Sequence, residues 1–310
     1  MSKQFMRLSD EDNLTGVVFD IQRYSLGDGR GIRTSVFMKG CNLRCWWCQN
    51  PESFSRKPEI AFRRDKCIQC GACVEACSRN AINMNGTFET KPDLCISCGV
   101  CAKVCPTKAR FLIGQNYKVA ELLSVVERDA IFFNESGGGV TLSGGEATLQ
   151  YEFVHAFLKA CRGAGLNTAI ETNGFTTPER MSSLVPLLDR IFFDLKIISS
   201  ADHQSFTGFK NEHILENARW LVKSGAPLTF RIPLIPGLTS NQDNIYGIGR
   251  FLNELGVTQV ELCPYQNNWE RKLSWLNTEQ KPLKFPSLSL EETQNIADRF
   301  SAFGIEGIII

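Results

Sequence analysis

The chain has 310 residues, 43% hydrophobic and 22% charged, with a formal net charge of +1. This length sustains one large α/β domain plus a small insert, and the near-neutral charge argues against a polyanion-binding surface, and with it nucleic acid, as the main function. No apolar run reaches membrane-spanning length and the opening MSKQFMRLSDED is too polar for a secretory signal, so a cytoplasmic protein without a membrane anchor is expected.

In chain order, residues 1 to 14 read as a mobile lead. Gly27, Gly29 and Gly31 then mark a turn-rich loop, but no Gly-Lys-Ser/Thr follows, which argues against a phosphate cradle. The apolar run Thr34 to Met38 reads as a buried strand. It leads into GCNLRCWWCQNP, Gly40 to Pro51, which holds Cys41, Cys45 and Cys48 in the spacing Cys-x3-Cys-x2-Cys. Structural zinc and simple electron-transfer clusters take four protein ligands, so three thiolates on one loop suggest a metal site with an open position. Taken alone, the triplet also fits a fragment of a zinc ribbon.

From Pro58 to Ile113 the composition changes. Cys67, Cys70, Cys73 and Cys77 have the spacing x2, x2, x3, and Cys95, Cys98, Cys101 and Cys105 repeat it, with Pro106 after the last. Eleven of the thirteen cysteines thus fall between Cys41 and Cys105 in tight runs, a pattern of metal ligands rather than disulfides. Cys161 and Cys263 stand alone and read as core fillers. Paired zinc knuckles are the competing explanation of the repeat.

Beyond the insert, amphipathic windows alternate with short apolar runs. Helices are expected at Tyr117 to Arg128, Tyr151 to Arg162, Pro178 to Leu188, Glu212 to Lys223 and Asn241 to Leu255. Strands are expected at Gly139 to Leu142, Asn167 to Glu171, Arg190 to Asp194, Leu228 to Pro233 and Val257 to Leu262. Strands recurring about every 30 residues with helices between imply right-handed crossovers and a parallel sheet. Functional groups should gather at its carboxyl edge. SGGE (Ser143 to Glu146), ETNG (Glu171 to Gly174), DLK (Asp194 to Lys196) and Arg231 before IPLIPG all fall there. Glycines 144 and 145 let backbone carbonyls approach an ammonium, Glu146 adds a carboxylate, and Lys196 and Arg231 suit a carboxylate.

The Cys41 triplet resembles the signature of the radical S-adenosylmethionine (SAM) superfamily, and the insert resembles a two-cluster bacterial ferredoxin. Together with FDIQRYSLGDGRGIRTSVFMKGCNLRCWWCQNPES, GGGVTLSGGE, AIETNGF, FFDLK and RIPLIPG, they make the chain similar to glycyl radical enzyme activating enzymes, of the kind that serves pyruvate formate-lyase. The resemblance implies a partial (β/α)6 TIM-like barrel over residues 1–57 and 114–310, with a ferredoxin-like insert at 58–113. It implies three [4Fe-4S] clusters. Cys41, Cys45 and Cys48 would hold the SAM-cleaving one; the ferredoxin rule crosses the others, giving Cys67, Cys70, Cys73 and Cys105 to one and Cys95, Cys98, Cys101 and Cys77 to the other.

Carried over residue by residue, Gly144, Gly145 and Glu146 would receive the SAM amino group, Lys196 its carboxylate, and Arg231 would help position it. Trp47 would pack adenine. Glu171, Thr172 and Asp194 match a monovalent-cation site, with Glu171 replacing an aspartate. Ala147 follows SGGE where proline is common. CPYQ puts Gln266 where the family has histidine, so no histidine role carries over.

The implied reaction is one-electron cleavage of SAM to a 5′-deoxyadenosyl radical, which takes hydrogen from a backbone glycine of a glycyl radical enzyme, the protein partner. A flavodoxin or ferredoxin would supply the electron. Asp28 is the candidate contact for the partner's glycyl loop. The competing functions are a radical SAM enzyme for a small molecule, which needs a closed barrel where about six strands are in view, and a non-catalytic carrier or zinc module, which leaves the strand-end motifs unexplained.

Overall fold

The computed structural model describes residues 10–83 and 86–310. The part of the expected mobile lead before residue 10 lies outside them. The rest of that lead is a 3-10 turn, Asp10–Asn13, in which Glu11 pairs with Lys159 at 2.8 Å.

Among the described residues, eleven strands form two sheets. In chain order they are β1 (Thr15–Ser25), β2 (Arg33–Met38), β3 (Glu59–Phe62), β4 (Arg110–Ile113), β5 (Gln115–Lys118), β6 (Gly139–Gly144), β7 (Thr168–Thr172), β8 (Arg190–Asp194), β9 (Leu228–Leu234), β10 (Gln259–Pro264) and β11 (Glu306–Ile309). The large sheet has the order β11-β10-β9-β8-β7-β6-β2-β1-β5, and β3 pairs with β4 alone. From β2 through β6 to β11 every pairing is parallel. At the other edge β1 runs antiparallel to both β2 and β5.

Parallel strands need crossovers, and the helices that supply them cover the sheet. Tyr151–Gly163 buries Phe153, Val154, Phe157, Leu158 and Cys161, as expected of an amphipathic crossover. The central strands are consequently apolar along much of their length, Val36, Leu142, Ile170, Ile191 and Ile232 being fully buried. Thr177, Ser199 and Asn241 cap the crossover helices that begin after β7, β8 and β9, each side chain accepting a backbone N–H.

The parallel array is longer than the six strands expected. Leu290–Ser301, with a Ser289/Glu292 capping box, delivers β11 as a seventh parallel strand. The helix expected from Tyr117 is shorter, because Tyr117 and Lys118 belong to β5 and the helix runs Val119–Val126 before a 3-10 turn. β1, just ahead of the glycine loop, was not foreseen as a strand; its alternation is interrupted by register shifts against β2.

The insert repeats in backbone as well as in sequence. Gln69 and Ser97, Gly71 and Gly99, and Asn80 and Lys108 occupy matching places in its halves, and all have positive φ. Gly71 and Gly99 each open a one-turn helix. The insert meets the rest of the chain where Phe62 N–H donates to Trp275 O at 2.8 Å and the Arg63 guanidinium stacks 4.1 Å from the Trp275 ring.

Candidate functional site

Because β2 and β6 to β10 are parallel, their carboxyl ends and the loops after them share one side of the sheet. A cavity of about 460 Å³ lies there. The cysteine loop after β2 lines it with Cys41, Cys45, Trp47 and Cys48. The strand ends add Gly144 and Gly145 from β6, Glu171 and Thr172 from β7, Asp194 and Lys196 from β8, and Arg231 from β9. Gln266, after β10, completes the wall beside Tyr265.

The loop is clamped from several sides. Gly40 N–H donates to Ser53 O at 2.6 Å, Arg44 N–H to Thr207 O at 2.7 Å and Trp46 N–H to Phe206 O at 3.1 Å. Gly40 has φ 104°, a conformation that favours glycine, and an added Cβ would lie 2.6 Å from the Arg56 side chain. Trp47 is buried at 3% exposure against Leu43, Ile197, Ile235, Tyr265 and Trp269.

The polar groups are coupled. Lys196 Nζ lies 2.7 Å from Asp194 Oδ2. Burial opposes the Lys196 charge, but Asp194 and then Cys45 outweigh it and hold its pKa above the ordinary value. Arg231 donates to Glu261 Oε2 at 2.7 Å and to Glu171, and its guanidinium lies 3.7 Å from the Phe192 ring centroid. Burial pushes the Glu171 carboxyl up to about 7 against the pull of Arg231. Arg231 thereby joins β7, β9 and β10.

Glu146 is placed differently from its neighbours in SGGE. It is 0% exposed and does not line the cavity. Its oxygens accept from Thr148 N at 3.2 Å, Thr148 Oγ1 at 2.7 Å, Thr172 Oγ1 at 2.9 Å and Asn173 N at 2.8 Å. It is an anchor behind the wall. Asp28 is half-buried and accepts from Ser25 Oγ at 2.6 Å and from Ser35.

Sequence reasoning passed over four residues. Asn173 and Ser143 line the cavity from within the motifs already quoted, and Glu261 orients Arg231. Cys263 is no core filler: it lines the cavity, with Asp194 and Arg231 among its charged neighbours. The signal for it was its place at the end of a parallel strand. Cys161, 0% exposed, is in the core as expected.

In the insert the thiols sort into two small cavities. Cys67, Cys70, Cys73 and Cys105 line one, and Cys77, Cys95, Cys98 and Cys101 the other. Each grouping takes one cysteine from the opposite half of the repeat. Among the described residues no three His, Cys, Asp or Glu side chains close tightly enough to cage a single metal ion. Four thiols line each space, the ligand number that both a [4Fe-4S] cluster and a zinc ion take.

Comparison with known proteins agrees with this chemistry. The model of the radical SAM superfamily matches residues 95–246, and that of the 4Fe-4S dicluster domain matches residues 66–109. The isethionate sulfite-lyase activating enzyme of Nitratidesulfovibrio vulgaris is 39% identical over 86% of this chain and 89% of its own. The trans-4-hydroxy-L-proline dehydratase activating enzyme of Clostridioides difficile is 38% identical over 92% of this chain and 96% of its own. The pyruvate formate-lyase 2-activating enzyme of Escherichia coli is 35% identical over 93% of this chain and 90% of its own. With this likeness extending along almost its whole length, the chain belongs to the glycyl radical enzyme activating enzymes of the radical SAM superfamily.

Proposed function

We propose that this protein is an oxidoreductase of the pyruvate formate-lyase activating type, which installs a radical on a backbone glycine of a larger partner enzyme. The supporting observation is that three thiols of one loop and the polar ends of successive parallel strands line a single cavity. When bound and reduced, a [4Fe-4S] cluster supplies the chemistry that cleaves SAM to the 5′-deoxyadenosyl radical.

The chain's own residues hold and orient. Cys41, Cys45 and Cys48 ligate the SAM-cleaving cluster. Backbone carbonyls at Gly144 and Gly145 receive the SAM amino group, with Glu146 fixing the turn beneath them. Lys196 takes the SAM carboxylate, Arg231 holds the wall in place, and Trp47 packs the adenine. Glu171, Thr172 and Asp194 take a monovalent cation beside SAM.

The eight insert cysteines hold two further clusters in the crossed sets, making three. A flavodoxin or ferredoxin delivers the electron, and the work takes place in the cytoplasm. Residues 58–113 form the ferredoxin-like domain and residues 1–57 with 114–310 a partial barrel. The β3–β4 pair at the ends of the insert supports that boundary, and the linear order of the large sheet is that of an unclosed sheet.

The test is anaerobic reconstitution with iron and sulfide, reduction, and assay of 5′-deoxyadenosine formed from SAM. About twelve irons per chain are expected, with SAM cleavage abolished when Cys41, Cys45 and Cys48 are replaced by alanine. Iron binding without SAM cleavage in the unaltered protein would sink the proposal.

A further inference from the structure

Asn173 stands beside one of the loop thiols in a setting that determines which way its amide points. It follows β7, is 6% exposed and lines the cavity. Its backbone N–H donates to Glu146 Oε2 at 2.8 Å. Its side-chain Oδ1 accepts the Phe175 N–H at 2.8 Å. A carboxamide has one accepting end and one donating end. With the accepting end engaged by Phe175, the amino group is left for the other side.

There Nδ2 lies 3.7 Å from Cys41 Sγ and 3.2 Å from Asn42 Oδ1. Asn42 is oriented to accept because its own Nδ2 donates to Phe175 O at 2.7 Å. Backbone groups of one residue therefore set both amides. The two hydrogens on Asn173 Nδ2 have two acceptors, one of them the cysteine sulfur.

We propose that Asn173 is a positioning residue that tunes the SAM-cleaving cluster: its amide N–H donates to the Cys41 sulfur and raises the reduction potential of the cluster that sulfur holds. The proposal rests on the reading of Cys41 as a cluster ligand. Reduction adds negative charge that is shared with the ligand sulfurs. A donor aimed at a sulfur stabilises that added charge, whereas an acceptor in its place opposes it. The burial of Asn173 matters, because a hydrogen bond shielded from water is electrostatically stronger than an exposed one.

The test is a reductive titration of the holoenzyme at pH 8, followed by electron spin resonance. The SAM-cleaving cluster is identified among the others by the change in its signal when SAM is added. Asn173→Asp keeps an acceptor for the Phe175 N–H but puts an anionic oxygen toward Cys41, and Asn173→Ala removes the donor. Asn42→Ala disturbs the same packing while sparing the bond to sulfur.

The midpoint should fall in both Asn173 variants. In Asn173→Asp the one-electron equilibrium should move about tenfold, which is ~59 mV. In Asn173→Ala it should move less, and in Asn42→Ala it should stay at the wild-type value. Unchanged midpoints in both Asn173 variants, or an equal fall in Asn42→Ala, would overturn the tuning role and leave the site reading intact. A wild type with no SAM-responsive cluster would remove both.

Discussion

Lys39 Nζ lies 2.6 Å from Glu59 Oε1, joining the residue before the cysteine loop to the first residue of β3. The lysine side chain is wholly buried and also donates to Glu52 O at 2.6 Å. Burial lowers its pKa, and Glu59 opposes that. Taking away the carboxylate leaves a buried charge without its counter-ion. Glu59→Gln is expected to cost about 2 kcal/mol, below the range for fully buried pairs because Glu59 is partly solvated. The double variant Lys39→Met with Glu59→Gln should recover part of that loss. Urea unfolding of the variants decides it, and a double variant no more stable than Glu59→Gln would count against the pair's role.

The anchoring role of Glu146 is testable. Its Oε2 accepts the Asn173 N–H, and an amide nitrogen in that place would set donor against donor. Glu146→Gln should therefore lower stability by about 2 kcal/mol even without SAM. If stability holds and only SAM affinity drops, the carboxylate touches the cofactor instead.

His203 links the pH of the solution to the shelf beneath the cysteine loop. It is 2% exposed, on the helix Ser200–Thr207 whose last carbonyls hold Arg44 and Trp46. Burial lowers its pKa below the ordinary 6.5. The unfolded chain therefore takes up the proton first, and stability is expected to fall as pH drops below about 6.5 toward the folded value. His203→Asn should flatten this segment of the stability profile, as thermal melts across pH would show.

The crossed sorting of the insert thiols predicts which losses overlap. Cys67→Ala and Cys105→Ala act on one grouping, so the double variant should lose about four irons, no more than either single variant. Cys101→Ala with Cys105→Ala strikes both groupings and should lose about eight. Iron analysis after identical reconstitution separates the outcomes, and a reversed pattern would refute the crossing.

What the sequence discloses depends on how local the cause is. β8 and the helix Glu212–Lys223 match their expected bounds because apolar run and amphipathic period are local signals. The cavity residues were legible for a topological reason, since parallel strands end on one side. β1 was hidden because bulges break its alternation, and its pairing with β5 joins segments separated by the whole insert. The capping box at Ser289 could have revealed the helix before β11. The direction of the Glu146 carboxylate could not be read, because it follows from Thr172 at the end of another strand and from Asn173 just after it. Cys263 was misplaced because an isolated cysteine forms no spacing motif and its place at a parallel strand's carboxyl end went unused; its environment is made by Asp194 and Arg231.

The two ends of the insert are hydrogen-bonded to each other through β3 and β4, with Glu59 opposite Ile113. A segment that leaves and returns through the same doorway can be shortened, exchanged or deleted while the strands of the large sheet keep their partners. The cysteine-rich module is thus a cassette by construction. A chain of this design can gain or lose the module during evolution while the strands that end at the cavity keep their order.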